Sequence, residues 1–349
     1  MAGISLSQVL GAATGALALY WLVRIATGDC NVWLAHRTKI PPEAFKRKVV
    51  WITGASQGLG EELALVFARQ GAFLILSARR KEQLERVKAA CLAANPECKA
   101  EVLTLDLCGS EDDIAKAAEA ASSFYGGAGV EVVVHNAGAS QSSLVTDTAP
   151  SVDEQMMRLN VLGPMTLTKK CLPGMLERGG GRFVVVSSMA AKLPSPGQAT
   201  YAACKFGLQG FFASMASELA DRNIRVTLAC PGPIGTGTES NPRTVFGKDG
   251  VTMVQSGGTG MSKSRLTPPR AAQLIVAAAA AGMDEVWLAK NPVLAIGYIF
   301  QFLPGLGWAI MKLVGPSRAR SMGGGPGGKK GDGYSVGKIL KGVFSKKDA

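Results

Sequence analysis

VVWITGASQGLGEELALVFAR, residues 49–69, reads as a strand, a glycine turn and a helix. Val49 to Thr53 is a short apolar run rich in β-branched residues, and Glu61 to Gln70 carries a helical pattern. Between them stand Gly54, Ser56, Gln57, Gly58, Leu59 and Gly60. Glycines allow a sharp turn and a close approach to a pyrophosphate, whose charge a helix N-terminus then favours. Three residues separate the first two glycines, unlike the commoner G-x-G-x-x-G, and a tight β–α turn needs glycine on steric grounds alone. Its place after the first strand of an alternating array makes it a nucleotide-site signal.

The array extends outward from that turn. Phe73–Ser77, Val102–Leu105, Val130–His135, Phe183–Val186 and Val226–Ala229 are further short apolar runs, with Lys81–Ala94 and Ala271–Ala281 among the helices. Right-handed β-α-β connections turn this pattern into a doubly wound parallel sheet, an α/β Rossmann fold, that binds ligands beyond its strand C-termini. The predicted catalytic domain is single and spans residues 46–290 of the 349. With 47% hydrophobic and 18% charged residues, a largely disordered chain is excluded.

The chemistry must avoid imidazole. His36 and His135 are the only histidines, which argues against zinc hydrolysis, a Ser-His-Asp triad and a Cys-His protease. Seven cysteines without a Cys-x-x-Cys pair read as a reduced interior, and no metal site is expected. Tyr201 and Lys205 lie one helical turn apart on one face, with Ser187-Ser188 upstream at the end of a strand. A phenol, with a pKa of about 10, becomes a usable acid–base beside an ammonium and a nicotinamide cation. The second strand ends in Ser77-Ala78-Arg79-Arg80 with no acid, so NADP(H) is expected over NAD(H). Arg79 is the expected 2′-phosphate partner and Arg80 the start of a solvated helix face.

Together these residues resemble the short-chain dehydrogenase/reductase family over about Val49 to Leu288. The resemblance rests on Thr53 to Gly60, Asp106-Leu107, Asn136-Ala137-Gly138, Asn160 in Leu-Asn-Val-Leu-Gly, the Ser188/Tyr201/Lys205 set, and Pro231-Gly232-Pro233-Ile234 followed by Thr236. His135 stands where asparagine is more usual, and Cys204 where serine is common. Within the family the chain looks most like the membrane-anchored dehydrogenase/reductase member 7 group, related to corticosteroid 11-beta-dehydrogenases. The resemblance implies catalytic roles for Asn160, Ser188, Tyr201 and Lys205. Gly54, Ser56, Gln57, Gly58, Leu59, Gly60, Arg79, Asp106, Leu107, Asn136, Ala137, Gly138, Pro231, Gly232, Ile234 and Thr236, with Tyr201 and Lys205, would then bind NADP(H). Ser188 and Tyr201 would meet the substrate oxygen, and Gly235–Leu266 would form a mobile lid. A homodimer or homotetramer is implied, through the Tyr201 helix and the Asp153–Met175 region. The alternative is a catalytically silent NADP(H)-binding sensor or scaffold.

The ends of the chain speak of membrane. Ile4 to Val23 (ISLSQVLGAATGALALYWLV) carries no charge and is long enough to span hydrocarbon. Residues 1–27 are therefore expected to be an uncleaved anchor. A cleaved signal peptide would have a basic n-region and a shorter apolar core. Residues 28–45 read as a linker; Arg24, Arg37, Lys39, Lys46, Arg47 and Lys48 follow the apolar segment while only the α-amino group precedes it, which places the rest of the chain in the cytosol, with a lumenal orientation the alternative. Residues 291–314 read as two short apolar helices broken at Pro304, either packed on the domain or dipping into one leaflet. Residues 315–349 read as a flexible basic tail near anionic headgroups, since no nucleic-acid motif accompanies its charge. Lys346-Lys347 resembles the dilysine address of endoplasmic-reticulum membrane proteins. A lipophilic carbonyl or alcohol (a steroid, a retinoid or a long-chain compound) is the substrate expected there, with reduction the expected direction.

Overall fold

The computed structural model describes residues 5–235, 243–254 and 265–322. Its centre is a parallel sheet of seven strands: β1 Val49–Thr53, β2 Phe73–Ser77, β3 Lys99–Val102, β4 Val132–His135, β5 Gly181–Val186, β6 Ile224–Pro231 and β7 Glu285–Leu288. The strand order is β7-β6-β5-β4-β1-β2-β3. The chain leaves β1 toward β2 and β3 and returns to its other side through β4, so a crevice opens at the strand C-termini between β1 and β4.

Burial explains why β1 is central. All five of its residues are buried, and successive side chains leave by opposite faces. Val50 and Ile52 join the core with Leu63 and Phe67 of α3 (Gly58–Arg69) and Leu274 and Ile275 of α9 (Pro268–Ala280). Leu84, Val87 and Cys91 of α4 (Lys81–Ala94) close that layer. Val49 and Trp51 join the opposite core with Ile114 of α5 (Glu111–Gly127), Leu167 of α7 (Gly163–Glu177) and Leu208 and Phe212 of α8 (Ala199–Glu218). Between α6 (Pro150–Met157) and α7, residues Arg158–Leu162 form one π turn.

Several expectations need correction. The third strand is Lys99–Val102, earlier than Val102–Leu105. It is an edge strand, so its apolar criterion is weak: Lys99 is exposed and Glu101 pairs with Lys88 at 2.8 Å. Residues 28–45 are not a spacer. Cys30, Leu34 and Phe45 enter the main core, Asp29 pairs with Arg270 at 2.8 Å, and the Asn31 N–H donates to the Trp287 carbonyl at 2.8 Å. A helix turn, α2 (Val32–Ala35), lies within them. Gly315 to Met322 is helical, since α11 spans Pro304–Met322 behind α10 (Val293–Phe302).

No helix among the described residues is long and apolar enough to cross a membrane, so the expected N-terminal span is not shown. What stands there is the 22-residue helix α1 (Leu6–Thr27). Its Val9, Leu10, Leu17, Leu19, Leu22 and Val23 are 50–64% exposed. Arg24, at its end, donates to the Ala35 carbonyl, and Asn291 donates to the Ala26 carbonyl at 2.7 Å.

Phe67 is fully buried, 4.9 Å edge-to-face from Phe45. Phe67→Ala is expected to cost about 3–5 kcal/mol, read as a lower denaturant midpoint.

Candidate active site

The β1–α3 turn is shaped by contacts that only glycine permits. Gly54 has a φ of +67°, and a Cβ there would stand 2.8 Å from the Ala137 Cα. A Cβ on Gly60 would stand 2.6 Å from Asn136 Nδ2 and collide with the Gly54 carbonyl oxygen. Gln57 occupies the α3 N-cap without a side-chain capping bond. Among the described residues the first-turn amides thus have no side-chain acceptor, which suits a phosphate at that end.

Thr53 and Asn136 lock this turn to the end of β4. Thr53 Oγ1 accepts from the backbone N–H groups of Asn136 and Ala137, each at 3.1 Å, and donates to the Val134 carbonyl at 3.2 Å. Asn136 Nδ2 donates to the carbonyls of Thr53 and Gly54, both at 3.1 Å. His135, one residue earlier, turns into the core. Its Nε2 is 2.8 Å from Thr168 Oγ1, its ring stacks on Phe183, and burial pushes its pKa down to about 3. It is therefore a neutral core histidine.

Tyr201, Lys205 and Asn160 come together from α8 and the π turn, and Ser188 follows Ser187, whose hydroxyl donates to the Lys205 carbonyl at 3.3 Å. Lys205 is 4% exposed, and its Nζ donates to the Val186 carbonyl at 3.0 Å and lies 5.6 Å from the Tyr201 ring centre. Among the described residues no carboxylate pairs with it, and desolvation lowers its pKa to about 8. Ser188 caps the short turn Met189–Ala191, accepting the Ala190 N–H at 3.1 Å. Asn160 sits in the π turn, fully buried, accepting the Ala139 N–H on Oδ1 at 3.2 Å and donating to the Met156 carbonyl at 3.1 Å. Such a turn re-aims a side chain that a regular helix would point elsewhere. A Cβ at Gly138 would stand 2.6 Å from Asn160 Oδ1 and 3.6 Å from Lys205 Nζ, so this glycine keeps the space between them open.

The remaining expected residues line the same strand ends. Ser56 is buried, Leu59 faces the core, and Arg79 is exposed beyond β2. Asp106 is exposed and accepts the Cys108 N–H at 3.0 Å, while Leu107 is buried against Gly163. Pro231 ends β6. Gly232 donates to the Leu288 carbonyl at 2.8 Å, and Ile234 bridges Leu266. Thr236 lies outside the described residues, as does most of the expected lid. The described part includes Arg243–Phe246 and Val251–Val254, an antiparallel hairpin beside Ser140–Gln141, with Phe246 buried.

Sequence reasoning missed the polar scaffold behind these residues. Arg80 is exposed at the start of α4, as expected, and it also donates to Gln57 Oε1 at 2.8 Å, which reaches the glycine turn. Arg86 pairs bidentately with Glu61 at 2.6 and 2.8 Å and also donates to the Ser56 carbonyl. Gln141 Oε1 accepts the N–H groups of Thr200 and Tyr201, capping α8 in place of its own N-cap residue Gln198. These partners stand 23 to 60 positions apart, and no local spacing announces them.

This site on this fold belongs to a class of enzymes. Residues 48–244 match the short chain dehydrogenase family, and the chain is a member of the short-chain dehydrogenase/reductase family, oxidoreductases that bind a nicotinamide cofactor. It is 35% identical over 295 residues to human dehydrogenase/reductase SDR family member 7, across 84% of this chain and 85% of that protein. It is 34% identical over 322 residues to bovine member 7B, across 91% and 92%. A short-chain dehydrogenase from Streptomyces avermitilis has a similar structure, with a TM-score of 0.62 at 27% identity over 79% of this chain and 99% of that one. A metagenomic short-chain oxidoreductase in complex with NADP gives 0.57 at 26% identity over 71% and 99%.

Burial gives Lys205 a testable signature. Its pKa is about 8 in the folded chain against 10.5 for the free side chain. Between those values the native state holds fewer protons than the unfolded one, so Lys205 adds stability as pH rises through that window. Buried cysteines such as Cys91 and Cys230, raised to about 12, act in the opposite sense above pH 9. The Lys205 contribution is therefore read by difference. Wild type minus Lys205→Met should show denaturation midpoints gaining with pH from about 8 to about 10.5, and a flat difference would contradict the assignment.

Proposed function

We propose that this enzyme is a membrane-associated, NADP(H)-dependent reductase of a lipophilic ketone or aldehyde. The observation that carries the reading is the buried, carboxylate-free Lys205 one helical turn from Tyr201, at the strand ends where the glycine turn opens. When bound, NADP(H) supplies or accepts a hydride. Ser188 holds the substrate oxygen and Tyr201 gives it a proton during reduction. The Lys205 ammonium lowers the Tyr201 pKa and holds the nicotinamide ribose. Asn160 holds a water that links Lys205 to solvent. Gly54–Gly60 and the Asn136-Ala137-Gly138 run would hold the dinucleotide, Asp106 and Leu107 its adenine end, and Pro231, Gly232 and Ile234, with Thr236 beyond the described residues, its nicotinamide end.

The preference for NADP(H) rests on Arg79 and on the absence of an acid at the end of β2. Arg80, held against Gln57, adds a second cation at that rim.

Exposed apolar residues support the membrane reading. Besides α1, Phe302, Leu303, Leu306 and Trp308 on and beside α10 and α11 are 51–71% exposed. The same two helices pack on Met189, next to Ser188, through Val293, Ile296 and Met311. A lipophilic substrate leaving the bilayer would thus arrive beside the Ser188 turn. The endoplasmic-reticulum membrane, with the catalytic domain in the cytosol, is the proposed location. A homodimer or homotetramer is proposed through α8 and the π turn, where Phe206 and Leu162 are 51% and 48% exposed.

Two experiments test these readings. Detergent-solubilised protein should oxidise NADPH with one or more of a panel of steroid, retinoid and long-chain carbonyls. Tyr201→Phe should lose at least about a hundredfold in turnover while keeping its NADPH dissociation constant, whereas tight NADPH binding without turnover across the panel would favour the sensor. In a flotation assay with phospholipid vesicles, Phe302→Ser/Trp308→Ser in a chain lacking residues 1–27 should leave the floating fraction. Undiminished flotation would remove α10 and α11 from the membrane face.

A further inference from the structure

Three elements carry the proposed chemistry: the turn after β5 bearing Ser188, the α8 helix bearing Tyr201 and Lys205, and β7, which underlies α10. One carboxylate, on Glu285, touches all three. Its Oε2 accepts from Lys192 Nζ at 2.6 Å and from Gln209 Nε2, and its Oε1 accepts the Trp287 indole N–H at 2.6 Å.

Each donor stands where it matters. Lys192 is the C-cap of the Met189–Ala191 turn that Ser188 begins, so the ion pair grips the far end of the same turn. Gln209 is one helical turn beyond Lys205 and two beyond Tyr201, on the same face of α8. Its amide is fixed at both ends, because its Oε1 accepts the Cys230 thiol at 3.5 Å. Trp287 follows Glu285 by two along the strand and shares its face. Its ring packs against Tyr298 of α10, and Gly297 of α10 fits against Met189 and Trp287 with no room for a Cβ. The side chains of Lys192 and Glu285 are 16% and 31% exposed, so the pair is shielded from full solvent screening.

We infer that Glu285 is a positioning residue that sets the distance and angle between the Ser188 turn and the Tyr201–Lys205 face of α8. This rests on the reductase reading above for its consequence in turnover, but not for the structural link itself. Without the carboxylate, Lys192 keeps its charge and loses its acceptor, and the links to α8 that remain at this strand end, the Ser187 hydroxyl on the Lys205 carbonyl and Lys205 Nζ on the Val186 carbonyl, all lie before Ser188. The backbone of the turn then samples arrangements in which the Ser188 hydroxyl no longer meets the oxygen that Tyr201 serves. Misplacement of this kind lowers turnover with little effect on a cofactor bound by other elements.

The test compares Glu285→Gln, Lys192→Met and the double variant in full-length protein. Amide hydrogen exchange read by mass spectrometry on peptides covering 187–193 should accelerate about tenfold in Glu285→Gln, with the β1 peptide unchanged. The NADPH dissociation constant should stay within about twofold, while kcat for NADPH-dependent reduction of 4-nitrobenzaldehyde falls about tenfold. The double variant should be no worse than the worse single, because both remove one link. Unchanged exchange at 187–193 would overturn the inference, as would additive losses or a parallel loss of NADPH binding and β1 protection. If wild type reduces none of the carbonyls offered, the reductase reading fails, and the exchange comparison still decides whether Glu285 holds the turn.

Discussion

The β1–α3 turn can exist only because the end of β4 comes close enough to touch it. Gly54 meets Ala137, Gly60 meets Asn136, and the Thr53 hydroxyl satisfies two backbone amides of the β4 loop at 3.1 Å. Without those contacts the crevice would lose one wall, and the uncapped first turn of α3 would face no defined space. The same constraint fixes Gly138, two residues on, in the gap between Asn160 and Lys205. A single close packing thus joins the nucleotide side of the site to its proton-handling side.

Lys205 carries the opposite kind of constraint, since its position costs stability. Burying an ammonium without a carboxylate disfavours its charged form, and the fold tolerates this with one backbone acceptor, the Val186 carbonyl. Groups held in such unfavourable surroundings cluster where chemistry needs them. His135 is buried as deeply, yet its Nε2 meets Thr168, its ring stacks on Phe183, and only its Nδ1 is left without a partner among the described residues. The contrast between these two buried bases lies in what surrounds them: one faces the open crevice and the other faces aromatic rings.

Much of this was legible in sequence because it is local. The glycine turn, the Tyr201–Lys205 spacing and the break at Pro304 each follow from a backbone rule acting within a few residues. The edge strand Lys99–Val102 escaped notice because only one of its faces is buried, so the apolar run was sought too late in the chain. β7 was missed as a strand, although Glu285–Leu288 completes the sheet beside β6. The packing of Leu34 and Phe45 into the core was equally invisible, since the apolar residues of 28–45 follow no helix or strand period. Arg86, Gln141 and Glu285 share one property: each acts on a partner far away in sequence, which only the fold brings near. Arg80 shows the limit most plainly: its exposure was legible, but its bond to Gln57 at 2.8 Å was not.

The most direct measurement follows the hydride itself. NADPH deuterated at the nicotinamide C4 would be incubated with the enzyme and a panel of lipophilic ketones, and the alcohols examined by mass spectrometry. The account predicts that wild type yields an alcohol one mass unit heavier, with the label on the carbinol carbon, and that Tyr201→Phe yields almost none. An unlabelled alcohol, or equal labelling in the Tyr201→Phe variant, would contradict it.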